Sequence, residues 1–202
     1  AVSTFRNEVL LHHPEMKLDL CTSSKSKVKA ESKSLIHFIE LYLVDKIPVD
    51  TFPEQAYLLT VTPQHIVIKA VSTTGLFYGL QSLKQLYRNY DMGKNGVQIP
   101  SMEIVDYPAL QYRGWLDDIS RGPVPNMDFY KKVIATYAEY KLNFFNFYTE
   151  HVFKLDSCPD IAPTDGLTAQ QIKELEDFAK PYHIEIFGNQ QCLAHAEKTL
   201  RI

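Results

Sequence analysis

Residues that could carry out chemistry are few in this chain, and none forms a short motif that implies a mechanism by itself. The 202 residues contain no H-E-x-x-H zinc sequence, no G-x-S-x-G nucleophile turn and no glycine-rich phosphate loop. They contain no Asp-Glu sequence either, and the one Glu-Asp pair, Glu176–Asp177, falls inside a predicted helix. Cys21, Cys158 and Cys192 are too widely spaced for a metal or redox motif. The sequence therefore predicts no metal site, no cofactor and free thiols.

Composition and charge give no support to two classes of partner. The chain is 45% hydrophobic and 22% charged, which is ordinary for a globular protein. A net charge of −3 and a pI near 6.2 give no electrostatic reason to expect binding to nucleic acid or to an anionic membrane. No run reaches the roughly 18 apolar residues that a membrane-spanning helix needs. We therefore expect neither nucleic acid nor membrane as a partner.

The elements of residues 1–106 indicate a small α+β domain. Val9–Leu11 is predicted as an early strand, residues 22–34 as a polar loop, and residues 35–43 as a helix with a wide apolar face. Two strand-like runs, Tyr57–Val61 and Ile66–Val71, flank a short turn and predict an antiparallel hairpin.

A further helix and strand complete this first region. Thr73 or Thr74 can cap a helix whose apolar stripe has helical spacing. The stripe consists of Leu76, Phe77, Leu80, Leu83 and Leu86. A glycine-rich turn follows, and Met102–Val105 is predicted as a strand.

Residues 107–202 change to an alternating β-α-β-α-β pattern, which predicts a parallel sheet covered by helices. Thr168 and Gln171 fit a capping box at the start of the second helix. The predicted strands are Arg113–Ile119, Leu142–Tyr148 and His183–Phe187; the predicted helices are Met127–Tyr140 and Ala169–Lys180, with a further helical start at Ala194–Leu200.

Ordered motifs make the chain resemble glycoside hydrolase family 20, whose members are β-N-acetylhexosaminidase-like enzymes. Residues 74–83, TGLFYGLQSL, resemble the family's G-x-x-Y-G-x-x-(S/T)-L helix. Residues 104–108 and 112–121, IVDYP and YRGWLDDISR, are similar to the passage that enters the first strand of its barrel. Residues 140–145, YKLNFF, resemble the second strand.

The resemblance implies a fold and an incomplete catalytic domain. The expected class is α/β, with the small α+β domain at residues 1–106 and the first three β/α units of a TIM (β/α)₈ barrel at residues 107–202. A complete barrel needs about 250 residues. We therefore expect the chain to be a fragment that needs the remainder of the barrel.

The resemblance also implies sugar-binding residues. Arg113 matches the arginine that holds hydroxyls of the terminal sugar, and a guanidinium fork can donate two hydrogen bonds to neighbouring hydroxyls. A structural arginine is the alternative. Glu150 is expected at the carboxyl-terminal rim of the barrel, either as a sugar ligand or as a solvated carboxylate. His195 is expected to support a catalytic acid or to be structural.

Other matched positions are expected to serve the structure first. Asp118 and Arg121 fit a pair that braces the strand end and its loop. The aromatic run Phe144–Tyr148 favours a core role, although Tyr148 or Trp115 at a rim could stack on a sugar ring. The sequence departs from the family pattern after the second and third strands, where Glu150 and His195 stand, which indicates a divergent branch.

The family chemistry is retaining hydrolysis assisted by the substrate's own 2-acetamido oxygen, without a cofactor. It needs an acid and an aspartate, which the family supplies as an adjacent Asp-Glu pair. Because that pair is absent here, we expect the catalytic residues beyond Ile202 and the fragment itself to be inactive. The expected substrate is an N-acetylhexosamine glycan. The alternative is a catalytically inactive carbohydrate-binding or scaffold module, and family habit implies a secreted or periplasmic location.

Overall fold

The computed structural model describes residues 2–12, 38–89, 92–93, 96–191, 194–197 and 200. These residues form two compact units, residues 1–111 and residues 112–202. The predicted polar loop at residues 22–34 lies outside the described residues, and so do Cys21 and Cys192. Within the described residues, no helix has the length and apolar character needed to cross a membrane.

The first unit begins with a helix where a strand was predicted. Helix α1 spans Val2–His12 and includes residues 9–11. The prediction of a strand at Val9–Leu11 is therefore wrong. Phe5 and Val9 lie four residues apart, on one face of the helix, and both are buried. Three apolar residues in a row thus carried no information about period, whereas the spacing of Phe5 and Val9 is helical.

A four-stranded mixed sheet forms the body of the first unit. Its strands are β1 (Phe38–Leu43), β2 (Tyr57–Val61), β3 (His65–Ala70) and β6 (Met102–Asp106), in the order β1-β3-β2-β6. The predicted hairpin is confirmed, because β2 and β3 pair antiparallel with Leu59 opposite Ile68. A two-stranded ribbon of β4 (Met92–Gly93) and β5 (Gly96–Val97) precedes β6.

The predicted helix at residues 35–43 is wrong. Its described part, residues 38–43, is strand β1, which pairs parallel with β3 along its whole length from Phe38–His65 to Leu43–Ala70. A run of six mostly apolar residues is too short to distinguish the two elements by period, and β-branched and aromatic residues suit a pleated edge strand. The pairing partner, 27 residues downstream, decides the outcome.

Helix α2, residues Thr73–Asn89, packs on one face of this sheet, as its apolar stripe predicted. Phe77, Leu80 and Leu83 are buried in its centre. The N-terminal cap is Ser72 rather than Thr73 or Thr74, because the Ser72 hydroxyl accepts hydrogen bonds from the backbone N–H groups of Thr74 and Gly75. A Cβ added at Gly75 would fall on the Ala56 carbonyl oxygen. The first turn of α2 therefore packs against the Ala56 backbone more closely than a side chain at position 75 would permit.

The second unit alternates strands and helices as predicted. Strands β7 (Gly114–Asp118), β8 (Phe144–Tyr148) and β9 (Glu185–Asn189) form a parallel sheet in that order. Helix α3 (Met127–Glu139) joins β7 to β8, and helix α4 (Ala169–Ala179) joins β8 to β9. A short 3₁₀ turn, Lys180–Tyr182, continues α4. The predicted helical start at Ala194–Leu200 is not found in its described residues, which are irregular.

Aromatic packing and a capping box fix the helices of the second unit. The Tyr130 ring of α3 lies 5.1 Å from the Phe147 ring, and Phe147 lies 4.5 Å from Phe145, centroid to centroid. All three side chains are buried. At the start of α4 the Thr168 hydroxyl accepts from the Gln171 N–H, and the Gln171 side chain accepts from the Thr168 N–H. The predicted capping box is confirmed.

Candidate functional site

The carboxyl ends of the three parallel strands meet at one edge of the second unit. Asp118, Tyr148 and Asn189 stand opposite one another in register at the ends of β7, β8 and β9. Each strand is followed at once by a loop that carries polar side chains. Because parallel strands end on the same side of a sheet, these three loops converge, and open α/β sheets bind ligands at that side.

The converging loops enclose a cleft of about 690 Å³. Its described lining combines one permanent cation, three carboxyl groups and two histidines with small and apolar residues. The charged and titratable members are Arg121, Glu150, Asp165, Glu197, His151 and His195; the others are Ser120, Gly122, Val124, Val152 and Pro163. A mixed polar and apolar cleft of this size is typical of sites that bind small ligands.

Arg121 lies at the centre of the charged contacts. Its Nη1 atom is 2.6 Å from Asp118 Oδ2 and 2.8 Å from Ser120 Oγ. Its Nη2 atom is 3.0 Å from Glu150 Oε1 and 3.4 Å from His195 Nδ1. One guanidinium thus connects the loops that follow all three strands. The bracing role predicted for the Asp118–Arg121 pair agrees with this geometry, which extends it to two further loops.

Asp118 is held in its ionised form by this network. Burial alone would raise the pKa of its carboxyl group, but hydrogen bonds from Ser120 and Arg121 outweigh that effect and lower the pKa below its ordinary value. Asp118 Oδ1 accepts from both the backbone N–H and the hydroxyl of Ser120. The same ion pair raises the pKa of Arg121. Arg121 is therefore a fixed positive group at the cleft.

Glu150 and His195 both have left-handed backbone conformations, with φ angles of 45° and 54°. Such values are uncommon for residues other than glycine, and they persist when the surrounding structure holds them. The Glu150 side chain is only 9% exposed, although it lines the cleft. Two of the residues that the sequence singled out are therefore brought together here, on backbone that is costly to maintain.

Arg113, the third predicted site residue, lies elsewhere. It precedes β7, so it stands at the amino end of the strand, five positions before Asp118. Its Nε and Nη2 atoms donate to the Lys141 carbonyl oxygen at 3.1 and 2.8 Å, and its backbone N–H donates to the Asn143 side chain. The structure does not bring Arg113 to the cleft lining, and its contact with a sugar stays a prediction.

The two aromatic residues considered for sugar stacking also differ in position. Trp115, the second residue of β7, packs near Tyr137 of α3, with 6.4 Å between ring centroids, and does not line the cleft. Tyr148 ends β8 at the cleft edge, and the Arg121 guanidinium carbon lies 5.6 Å from its ring centroid. A cation therefore already lies over the Tyr148 ring.

Sequence reasoning missed the part of the cleft that comes from the long loop after β8. His151, Pro163 and Asp165 line the cleft, and the loop is closed on itself by a β-bridge between Phe153 and Leu167. The loop approaches itself closely at Gly166, where a Cβ would fall on the Val152 carbonyl oxygen. No periodic pattern marks such a loop, so its return to the cleft could not be predicted.

Among the described residues, no group of three histidine, cysteine, aspartate or glutamate side chains could hold a metal ion. Cys158 is a free, exposed thiol. The functional groups of the described cleft are therefore one arginine, three carboxyl groups, two histidines and the Ser120 hydroxyl.

The chain is similar to known proteins over both units. Residues 12–107 match the family model "Glycosyl hydrolase family 20, domain 2". A β-hexosaminidase of Porphyromonas gingivalis is 29% identical over 178 residues, which are 76% of this chain and 23% of that protein. A β-hexosaminidase of Akkermansia muciniphila is 36% identical over 103 residues, which are 51% of this chain and 20% of that protein.

One solved structure agrees in both fold and sequence. The Streptomyces plicatus N-acetyl-β-hexosaminidase, in complex with Thio-NAglucal, has a TM-score of 0.67 at 25% identity and covers 80% of this chain. This chain covers 35% of that structure and about a fifth to a quarter of the two relatives above. The similarity therefore concerns one part of longer proteins.

Proposed function

Because the chain belongs to glycosyl hydrolase family 20, we propose that it supplies the α+β domain and the first three β/α units of a (β/α)₈ barrel in a β-N-acetylhexosaminidase. Strands β7, β8 and β9 are then the first three barrel strands. The cleft around Arg121 opens at their carboxyl ends, where barrel enzymes carry their active sites. The observation that carries the proposal is the family match at residues 12–107, followed directly by three parallel strands whose loops enclose a cleft.

The proposed reaction is the removal of terminal N-acetylhexosamine from oligosaccharides or glycoconjugates. The substrate's 2-acetamido oxygen attacks the anomeric carbon, and retention follows because water later attacks from the face that the leaving group occupied. The reaction needs a proton donor for the leaving oxygen and a carboxylate that orients the acetamido group. These 202 residues hold no adjacent Asp-Glu pair. We propose that residues outside this sequence provide it.

Within this proposal, Glu150 and His195 contact the sugar. Both line the cleft, and Arg121 holds both from one side. A carboxylate accepts hydrogen bonds from sugar hydroxyls, and these charge-assisted bonds are about twice as strong as neutral ones. Arg113 remains a predicted sugar ligand, and its contact with Lys141 gives a competing structural role.

Turnover of a chromogenic N-acetyl-β-glucosaminide by the complete protein tests the proposal. We expect turnover by the complete protein and none by residues 1–202 alone. Glu150→Gln should lower kcat/KM by roughly 10–100-fold, the equivalent of one hydrogen bond to a charged group. Glu174→Gln, which breaks only the pair with Lys131 between helices, is the matched control.

Two results would contradict the proposal. Binding of N-acetylglucosamine without turnover by the complete protein would favour a carbohydrate-binding module. Absence of both binding and turnover would remove the assignment to N-acetylhexosamine altogether.

A further inference from the structure

We propose that Arg121 is a positioning residue that fixes the neutral His195 ring in a single tautomer, with its proton on Nε2. The contact that carries this inference joins Arg121 Nη2 and His195 Nδ1 at 3.4 Å. The same Nη2 atom of Arg121 lies 3.0 Å from Glu150 Oε1. One nitrogen of Arg121 thus faces one cleft residue from the loop after β8 and one from the loop after β9.

The chemistry of a guanidinium determines the direction of this contact. Arginine has five N–H donors, no acceptor, and is protonated at every pH of interest. Arg121 must therefore donate, and His195 Nδ1 must accept through its lone pair. A neutral imidazole carries one proton, so an accepting Nδ1 leaves that proton on Nε2.

Arg121 is held so that it cannot easily turn away from His195. Its other terminal nitrogen, Nη1, is engaged by Asp118 Oδ2 at 2.6 Å and by Ser120 Oγ at 2.8 Å. The guanidinium also packs over the Tyr148 ring, with 5.6 Å between the guanidinium carbon and the ring centroid. Because the guanidinium is planar and its donors point in fixed directions, holding Nη1 also fixes where Nη2 points. A lysine ammonium donates from one point and cannot make both sets of contacts.

A fixed tautomer determines what the histidine can offer a ligand. His195 presents an N–H donor at Nε2 and no free acceptor at that atom. It would therefore bind an oxygen acceptor, such as an amide carbonyl or a carboxylate, rather than abstract a proton from a hydroxyl through Nε2 as a neutral base. This follows from the contacts of Arg121 and does not depend on the proposed hydrolysis.

Long-range ¹H–¹⁵N correlation of the histidine rings tests this proposal directly. The spectrum of ¹⁵N-labelled protein is recorded above pH 8, where an ordinary histidine, with a pKa near 6.5, is neutral. His195→Asn assigns the His195 signals by their loss, and the exposed ring of His65 serves as an internal reference. We expect the pattern of an Nε2–H ring for His195 in the unsubstituted protein.

Substitution of Arg121 tests the cause of the tautomer. In Arg121→Met every donor is lost, so the two nitrogen shifts of His195 should move toward each other, as in a ring that exchanges between tautomers. Arg121→Lys should do the same in part, because it keeps the charge but loses the fork. Lys173→Met removes a cation from the exposed pairs of α4 and should leave the His195 pattern unchanged.

Two outcomes overturn the proposal. One is an Nδ1–H or averaged pattern for His195 in the unsubstituted protein. The other is an unchanged Nε2–H pattern in Arg121→Met. Because neither measurement uses turnover, failure of the proposed hydrolase activity would leave this test intact.

Discussion

Asp117 and Asp118 are adjacent in β7, but their side chains face opposite sides of the sheet. Asp117 stands opposite the buried Phe147 in register, beside the α3 tyrosines. Burial raises the pKa of Asp117, and repulsion from Asp118 raises it further. Asp118 faces Arg121 and has a lowered pKa. The ionised form of an aspartate is thus disfavoured on one face of the sheet, at Asp117, and stabilised on the other face, at Asp118.

This contrast predicts opposite effects of pH on two variants. The lowered pKa of Asp118 means that its ionised form stabilises the fold above the ordinary pKa of 3.8, and that this contribution is lost as the pH falls through the lower folded value. Asp118→Asn should therefore lower the free energy of unfolding at pH 7, by about 0.5 kcal/mol for an exposed ion pair, and this difference should shrink as the pH falls below 3.8.

Asp117→Asn is the matched comparison for Asp118→Asn. A raised folded pKa means that ionisation destabilises the fold, a cost that grows as the pH rises from 3.8 through the folded value. The variant should be more stable than the unsubstituted protein at pH 7 and equal to it near pH 2. Urea unfolding at both pH values measures these differences, and effects of the same sign at pH 7 would contradict the assignment of the two faces.

Arg113 gives a second prediction at the scale of one residue. Arg113→Lys keeps the charge but cannot donate from two nitrogens to the Lys141 carbonyl oxygen. We expect a loss of about 1 kcal/mol in the free energy of unfolding, measured by urea denaturation. If the variant instead keeps its stability and loses sugar affinity, Arg113 is a ligand, as the family resemblance implies.

At the scale of the element, the sequence predicted best where a local signal was complete. The capping box at Thr168 and the turn between β2 and β3 each depend on residues within four positions of one another, and both are present. The strand β1 and the helix α1 were mispredicted, because a short apolar run fits either period. What decides β1 is its pairing with β3, and a partner 27 residues away leaves no mark on the run itself.

The capping box also gives a prediction for α4. Thr168→Ala removes the hydroxyl that accepts from the Gln171 N–H, and this should cost about 1 kcal/mol of stability. Thr136→Ala is the matched control, since Thr136 lies inside α3, and its hydroxyl donates to the Lys132 carbonyl oxygen of the same helix. Alanine is the better helix former there, so this variant should unfold at an equal or slightly higher urea concentration. Equal losses in both variants would argue against a capping role.

In the molecule as a whole, the two-part organisation could be expected, because residues 107–202 change to an alternating pattern of strands and helices. The site could not be fully predicted. Glu150 and His195 were singled out through the family resemblance, and the structure brings both to one cleft. The central role of Arg121 depends on where three loops turn after three different strands. Side-chain directions in irregular backbone have no period in the sequence, so that convergence could be found only in the fold.

The order of strands in the first unit predicts how its sheet forms. Leu59 of β2 pairs with Ile68 on one side, nine residues away, and with Ile104 on the other side, 45 residues away. Because closing a longer loop costs more entropy, the hairpin should form before β6 is added. Ile68→Val should therefore mainly slow folding, and Ile104→Val should mainly speed unfolding, in stopped-flow measurements. A reversed pattern would place β6 in the folding nucleus.

The central position of β2 has a consequence for synthesis in the cell. The two atoms of the Tyr57–Asp106 hydrogen bond belong to residues 49 positions apart. At roughly 5–20 residues per second, a ribosome needs about 2.5–10 s to add the residues between them. During that interval the outer edge of β2 has no partner strand from β6. An open strand edge can pair with another chain, so the nascent first unit carries an aggregation-prone edge until β6 has been made and has paired with β2.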